Sequence, residues 1–138
     1  MGFGQAVSTC FRKYATFSGR APRSEFWWFI VFYWILVVVT SIIDRLLGFK
    51  VYTGTLTING VDYSTYTQTG WVTSIAVLLM ILPILAVSVR RLHDTDRTGW
   101  WWWIGIVCCI GWIVLLIFYL QEGTRGPNKY GQPYGQVF

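Results

Sequence analysis

Three long stretches without a charged side chain constrain this chain more than any other feature of its sequence. They cover residues 26–43, 71–89 and 99–120, which is 18, 19 and 22 residues. A helix needs about 20 apolar residues to cross the hydrocarbon core of a bilayer, where unpaired backbone groups find no solvent partner. The sequence therefore predicts an all-α membrane protein with three transmembrane helices at these positions.

The composition of the chain agrees with that class. Of its 138 residues 54% are hydrophobic and only 12% are charged, whereas an average soluble domain has about 25% charged residues. Four consecutive tryptophans at residues 100–103 are typical of the aromatic belt at a membrane–water boundary. The net charge of +5 does not indicate a nucleic-acid partner, because the basic residues flank apolar stretches instead of forming a stripe on a soluble surface.

The remaining segments predict smaller elements within a single membrane domain, residues 1–138. Apolar residues recur with a helical period over residues 3–17, which predicts an amphipathic interfacial helix before the first span. Residues 51–67 are rich in Val, Tyr, Thr and Ile around the pair Asn59-Gly60. Because that pair suits a two-residue type I′ turn, we predict a small external β-hairpin in the first loop. Residues 121–138 form a tail.

Basic residues outside the apolar stretches predict the orientation in the membrane. Seven lie on one side of the predicted spans and four on the other. Because the basic side of such a protein stays inside, the N-terminus should be cytoplasmic and the C-terminus periplasmic. The seven are Arg12, Lys13, Arg20, Arg23, Arg90, Arg91 and Arg97, and the four are Arg45, Lys50, Arg125 and Lys129.

Three motifs occur in order along the chain: FSGRAPRSEFW at residues 17–27, RRLHDT at 90–95 followed by GWW at 99–101, and GTRGPNKYG at 123–131. Together they resemble the family called domain of unknown function 805, small proteins of the bacterial inner membrane. The resemblance covers nearly the whole chain and implies a multi-pass inner-membrane protein without an established activity, substrate or cofactor. Cys108 and Cys109 stand where the family often has a mid-span proline, which favours a continuous third helix.

Charged residues of the first two motifs are candidates for binding a lipid headgroup or a protein partner. The topology places them on one membrane face, and guanidinium groups bind phosphate oxygens bidentately. Anionic membrane lipids or an acidic partner surface would then be recognised. A structural network, in which Glu25 neutralises an arginine, is equally compatible with the sequence. The candidate cluster comprises Arg20, Arg23, Glu25, Arg90, Arg91, His93 and Asp94.

The sequence indicates no catalytic, cofactor-binding or metal-binding residues. It has one histidine, no nucleophile–base motif and no phosphate-binding loop. We therefore predict a non-enzymatic accessory protein that binds lipid or a partner, as a homo-oligomer or within a larger membrane complex. A subunit of an oligomeric transporter or channel is one alternative, although such proteins usually carry charge within their spans. An enzyme that modifies lipid headgroups with His93, Asp94 and Asp96 is the other.

Overall fold

The computed structural model describes residues 1–49, 51–67, 70–107 and 109–134, with the backbone alone at 51–53, 65–67 and 109. The described residues are mostly helical and include one two-stranded antiparallel sheet. They group into two compact units, a first unit of residues 1–31 with 82–138 and a second unit of residues 32–81. The predicted helical class and the small sheet are confirmed.

A short helix, α1 (Phe3–Arg12), begins the first unit. Two of its aromatic rings pack edge-to-face, Phe3 on Trp28 at 5.8 Å and Phe11 on Phe29 at 5.9 Å between centroids. Such pairs stabilise a helix–helix contact beyond the apolar area that they bury. The helix ends at Arg12, so residues 13–17, which we predicted to continue it, lie outside it. Its position at a membrane interface stays a prediction.

Among the described residues two helices are long and apolar enough to cross a membrane, α2 (Arg23–Leu47) and α3 (Trp71–Asp94). They contain the first two uncharged stretches and extend past them at the charged ends. Pro22 precedes α2, where its missing N–H and fixed φ suit the start of a helix, and its carbonyl accepts the backbone N–H of Phe26 at 3.3 Å. The first two predicted spans therefore correspond to helices of sufficient length.

The second unit contains the hairpin, formed by β1 (Val51–Ile58) and β2 (Val61–Thr67). Ile58 pairs with Val61, as a two-residue turn requires. Asn59 and Gly60 have φ values of 52° and 77°, which are the left-handed conformations of a type I′ turn. The predicted hairpin and its register are confirmed, whereas its position outside the membrane stays a prediction.

Asp44 connects α2 to the start of α3 within the second unit. Its carboxylate accepts the backbone N–H groups of Val72 at 3.0 Å and Thr73 at 2.8 Å, and the Thr73 hydroxyl at 2.6 Å. These bonds satisfy donors that the first turn of a helix leaves unpaired. Asp44 itself, at the end of the first apolar stretch, is fully buried.

The third apolar stretch is not one helix. A 3-10 helix (Gly99–Trp103) leads into α4 (Ile104–Val107), and α5 (Cys109–Leu120) follows. In a straight helix residues 104 and 111 would lie about 10 Å apart along the axis, yet a Cβ added at Gly111 would collide with the backbone oxygen of Ile104. The rings of Trp101 and Phe118 meet edge-to-face at 5.5 Å, so both ends of the stretch are adjacent. The predicted continuous helix over residues 99–120 is therefore not found, and a third transmembrane span is not confirmed.

Small residues permit this reversal of the chain. A Cβ added at Gly105 would stand 2.9 Å from the Leu115 side chain. Because Gly111 has no side chain, the backbone of α4 can pack directly against it. Close backbone approach through small residues is a common way for helices to pack in membranes. The 12 residues of α5 extend about 18 Å, well short of the roughly 30 Å hydrocarbon core. The number of apolar residues gives the length of a stretch but does not show whether the chain reverses within it, which is why a continuous helix was predicted.

Candidate functional site

Arg20 is the centre of a buried network in the first unit. Its Nε donates to Asp94 Oδ1 at 2.9 Å, and the two side chains are 1% and 9% exposed. Its Nη1 donates to the carbonyl oxygens of Gly126 at 2.7 Å and Gly131 at 3.3 Å, and its Nη2 donates to that of Thr124 at 2.6 Å. All three guanidinium nitrogens are therefore engaged within the chain, and the tail is bound to the end of α3.

Arg91 holds the end of α5 in the same way. Its Nη1 bonds to Asp94 Oδ2, so the carboxylate lies between two arginines. Its Nε donates to the Tyr119 carbonyl at 3.2 Å, and its Nη2 donates to the Gln121 carbonyl. The last carbonyl groups of a helix have no partner within the helix. Arg91 supplies that partner, which fixes the place where the tail begins.

Glu25 and Arg90 form a second, fully buried pair. Arg90 Nη1 lies 2.5 Å from Glu25 Oε1, and both side chains are 0% exposed. The Cys10 thiol donates to the same oxygen at 3.7 Å. Burial, together with the negative charge of Glu25, raises the pKa of Cys10 to about 12. This pair therefore joins α1, α2 and α3 through groups that are closed to solvent.

Arg23 differs from the other three arginines of the cluster because its side chain is 45% exposed. Its Nη1 donates to the Leu120 carbonyl at 3.1 Å, and its Nη2 pairs with Glu122 Oε1 at 3.1 Å. Exposed ion pairs of this kind stabilise a fold by less than about 1 kcal/mol. Arg23 is thus accessible to a ligand.

The tail is folded against His93. The ring of Tyr130 stacks on the imidazole with 3.8 Å between centroids and an angle of 3° between planes. Asn128 positions that ring, because its Nδ2 donates to the His93 carbonyl at 2.9 Å and its Oδ1 accepts the Tyr130 backbone N–H at 2.9 Å. On the other side, His93 Nδ1 lies 3.2 Å from the carbonyl oxygen of Gly19.

An open, mainly apolar cavity of about 630 Å³ lies beside this stack. Three of the four consecutive tryptophans line it, together with aliphatic side chains of α3. Pockets that bind small molecules commonly measure about 300–1,000 Å³ and have such walls. Its lining residues are Phe17, Leu85, Val89, His93, Thr98, Gly99, Trp100, Trp102, Trp103 and Tyr130.

The structure places the seven candidate residues in two connected groups and one exposed position. Arg20, Arg91 and Asp94 form one group, with His93 one residue before Asp94. Glu25 and Arg90 form the second group. The headgroup interpretation requires accessible guanidinium groups, whereas Arg20, Arg90 and Arg91 are buried. Their geometry is that of a structural network.

Sequence reasoning missed the tail as part of the site. The Gly-Pro-Asn and Tyr-Gly pairs of the third motif indicate turns, and nothing in their spacing places Tyr130 against His93. The signal that could have revealed it is that this third motif occurs in the same chain as the two arginine-containing motifs at residues 17–27 and 90–95. Within the residues that the structure describes, no group of three His, Cys, Asp or Glu side chains is arranged to hold a metal ion.

Comparison with known proteins gives a family match over most of the chain. A family model described as "Protein of unknown function (DUF805)" matches residues 14–132. Two similar proteins of Escherichia coli strain K12 are inner membrane protein YhaI and inner membrane protein YhaH, each 37% identical over 120 residues. The alignments cover 87% of this chain, 86% of YhaI and 88% of YhaH. No solved structure matches the chain significantly.

Proposed function

The chain belongs to the family of proteins of unknown function DUF805, and from that premise we propose that it is a non-enzymatic accessory protein of the bacterial inner membrane that binds a lipid. The observation that carries this proposal is the apolar cavity beside His93 and Tyr130. The names of both relatives, inner membrane proteins, support the location.

The walls of the cavity favour a lipid chain as its occupant. Trp100 is 79% exposed and Trp103 is 53% exposed, so large aromatic surfaces lie open beside the cavity. Tryptophan concentrates where acyl chains meet headgroups. A volume of about 630 Å³ can admit an acyl chain. Burying the apolar surface of such a chain contributes roughly 0.8 kcal/mol for each CH₂ group.

In this proposal the buried arginines position the binding site and do not touch the headgroup. Arg20 binds the tail at Gly126 and Gly131, on either side of Tyr130, which forms one wall of the cavity. Two of the cations that an anionic headgroup could reach are Arg23, which is 45% exposed, and Lys129, which is 55% exposed. The Lys129 ammonium lies 5.2 Å from the centroid of the Tyr130 ring. Each such cation near an anionic membrane surface is worth about 1 kcal/mol.

The contacts of the acidic residues favour binding over headgroup chemistry. An enzyme would need Asp94 free to act as a base or a ligand, yet each of its carboxylate oxygens is bonded to an arginine. Asp96 is 46% exposed and lies 4.0 Å from Lys129. Catalysis by Asp94 would therefore require the network to open.

We also propose that α4 and α5 form a re-entrant segment, so that both termini are cytoplasmic. In support, Arg97 at the start of the segment stacks on Phe118 near its end, with 3.9 Å from Cζ to the ring centroid. The backbone N–H of Thr124 then donates to the Asp94 carbonyl at 2.8 Å. The segment leaves α3 and returns to it at the same end.

Filling the cavity tests the lipid-binding function. We expect Leu85→Trp, which adds bulk to a wall of the cavity, to lower the lipid retained by the full-length protein after detergent purification by at least about half. Leu116→Trp is the matched control, because Leu116 is 47% exposed on α5 and does not line the cavity. Native mass spectrometry would count the bound lipids. Equal retention by the Leu85→Trp variant and the wild type, or none by the wild type, would contradict the proposal.

A further inference from the structure

His93 lines the cavity, and one of its two ring nitrogens is engaged within the chain. The residue is 9% exposed and lines the cavity wall. Its Nδ1 faces the Gly19 carbonyl oxygen, which can only accept a hydrogen bond, so in the neutral ring the proton is on Nδ1. Nε2 is then an acceptor, and no hydrogen-bond partner for it occurs within the described parts of the chain.

The orientation of this acceptor is fixed by its neighbours. Tyr130 lies parallel to the imidazole and prevents it from tilting, while the bond to Gly19 opposes a flip of the ring. Asp94, the adjacent carboxylate, bonds to two arginines and does not compete for the imidazole. A fixed acceptor in a mainly apolar cavity rejects ligands that leave it unpaired, because an unmet hydrogen bond there has a free-energy cost.

We propose that the occupant of the cavity carries a hydroxyl or N–H donor at the polar end of its apolar chain, and that this donor bonds to His93 Nε2. The inference rests on the proposed lipid-binding function and narrows its ligand class. Lipids with a free hydroxyl, or with the primary ammonium of ethanolamine, belong to that class. Phosphatidylcholine, whose headgroup has no donor, does not.

Two probes with the same hexadecyl chain test the donor directly. Radiolabelled 1-hexadecanol bound to the full-length protein in detergent is displaced by unlabelled 1-hexadecanol or by 1-methoxyhexadecane, which keeps the oxygen but lacks the donor. One net hydrogen bond corresponds to roughly a 3- to 10-fold preference for the alcohol. His93→Phe keeps a flat ring for stacking on Tyr130 and removes Nε2, so its preference should fall to about 1 with unchanged affinity for the ether.

Phosphatidylethanolamine and phosphatidylcholine form the second arm, which separates an ammonium donor from a hydroxyl. Stronger displacement of the labelled probe by phosphatidylethanolamine than by phosphatidylcholine would identify the ammonium as the donor. Equal displacement by the two lipids, with the alcohol still preferred over the ether, would identify a hydroxyl as the donor. Equal affinity of the wild type for alcohol and ether overturns the inference while leaving lipid binding intact, and so does a preference that survives in the His93→Phe variant. Failure of the wild type to bind either probe overturns the proposed function itself. Where the His93→Phe variant does not fold, a wild-type alcohol-to-ether ratio near 1 still overturns the inference.

Discussion

Arg20 donates a hydrogen bond to the backbone oxygen of Gly126, 106 residues further along the chain, at 2.7 Å. This contact, made by a side chain that is 1% exposed, joins the segment between α1 and α2 to the tail. The planar fork of arginine can serve several carbonyl oxygens at once. The tail is therefore an integral part of the first unit, and this one side chain bonds to three of its carbonyl oxygens.

Arg20→Lys should release the tail. Lysine keeps the charge for Asp94 but cannot reach the carbonyl oxygens of Thr124, Gly126 and Gly131 together, so partly buried acceptors lose their partners. We expect a loss of a few kcal/mol in unfolding free energy and faster proteolysis within residues 121–134. Arg23→Lys is the matched control and should change stability by less than about 0.5 kcal/mol. Equal protease resistance of the two variants would contradict this role for Arg20.

Gly111→Ala should force α4 away from α5. A Cβ at this position would collide with the backbone oxygen of Ile104, which cannot move as a side chain can. Overpacking of this kind typically costs about 1–3 kcal/mol, measurable as a lower thermal midpoint in detergent. Gly4→Ala is the control, because a Cβ there meets no atom within 4 Å and Gly4 lies in α1. A midpoint for Gly111→Ala equal to that of the control would mean that the two helices do not pack as described.

The features that sequence predicted correctly are those set by local rules. The register of the hairpin follows from Asn59 and Gly60, because a two-residue turn leaves the flanking strands one pairing. The positions of α2 and α3 follow from the first two uncharged stretches, which these helices contain. In both cases the information lies within a few residues of the element.

The features that sequence did not predict depend on contacts between distant segments. Nothing local distinguishes an arginine that faces headgroups from Arg91, whose partners are the carbonyl oxygens of Tyr119 and Gln121. The reversal between α4 and α5 likewise depends on Gly105 and Gly111 meeting the opposite helix. The tail contact on His93 requires the fold to be complete. These contacts define the candidate site, so the site was the least predictable part.

Gly60→Val should disrupt the hairpin. The φ of 77° at Gly60 is costly for a β-branched residue, and type I′ geometry needs it. We expect faster cleavage of the loop by an added protease, by several-fold. Thr55→Val, which places a good strand former at a strand position, should leave the loop as resistant as before. Unchanged resistance of the Gly60→Val variant would count against the turn.

Cys10 should react slowly with alkylating reagents. Burial first, and the charge of Glu25 next, raise its pKa from the usual 9.0 to about 12. Because folding holds the thiol proton, this group contributes stability fully below pH 9.0, and the contribution is lost as pH rises toward about 12. With Cys108 and Cys109 replaced by alanine, labelling at pH 8 should be roughly a thousandfold slower in the folded protein than in denaturant. A labelling rate that levels off near pH 9 in the folded protein would disprove the shift.

The location of the C-terminus tests the re-entrant segment. If both termini are cytoplasmic, Arg125 and Lys129 move to the inner side, and the count of basic residues changes from seven against four to nine against two. The basic bias is then stronger than with three full crossings, which favours this topology. Neither α4 nor α5 alone can span about 30 Å of hydrocarbon.

We expect a fluorescent protein that matures only in the cytoplasm to be fluorescent when fused after Phe138, and alkaline phosphatase at the same position to be inactive. The same pair inserted between Asn59 and Gly60 is the control, and there we expect active phosphatase and no fluorescence. Active phosphatase after Phe138 would mean that the third segment crosses the membrane fully and that α4 and α5 straighten in the bilayer.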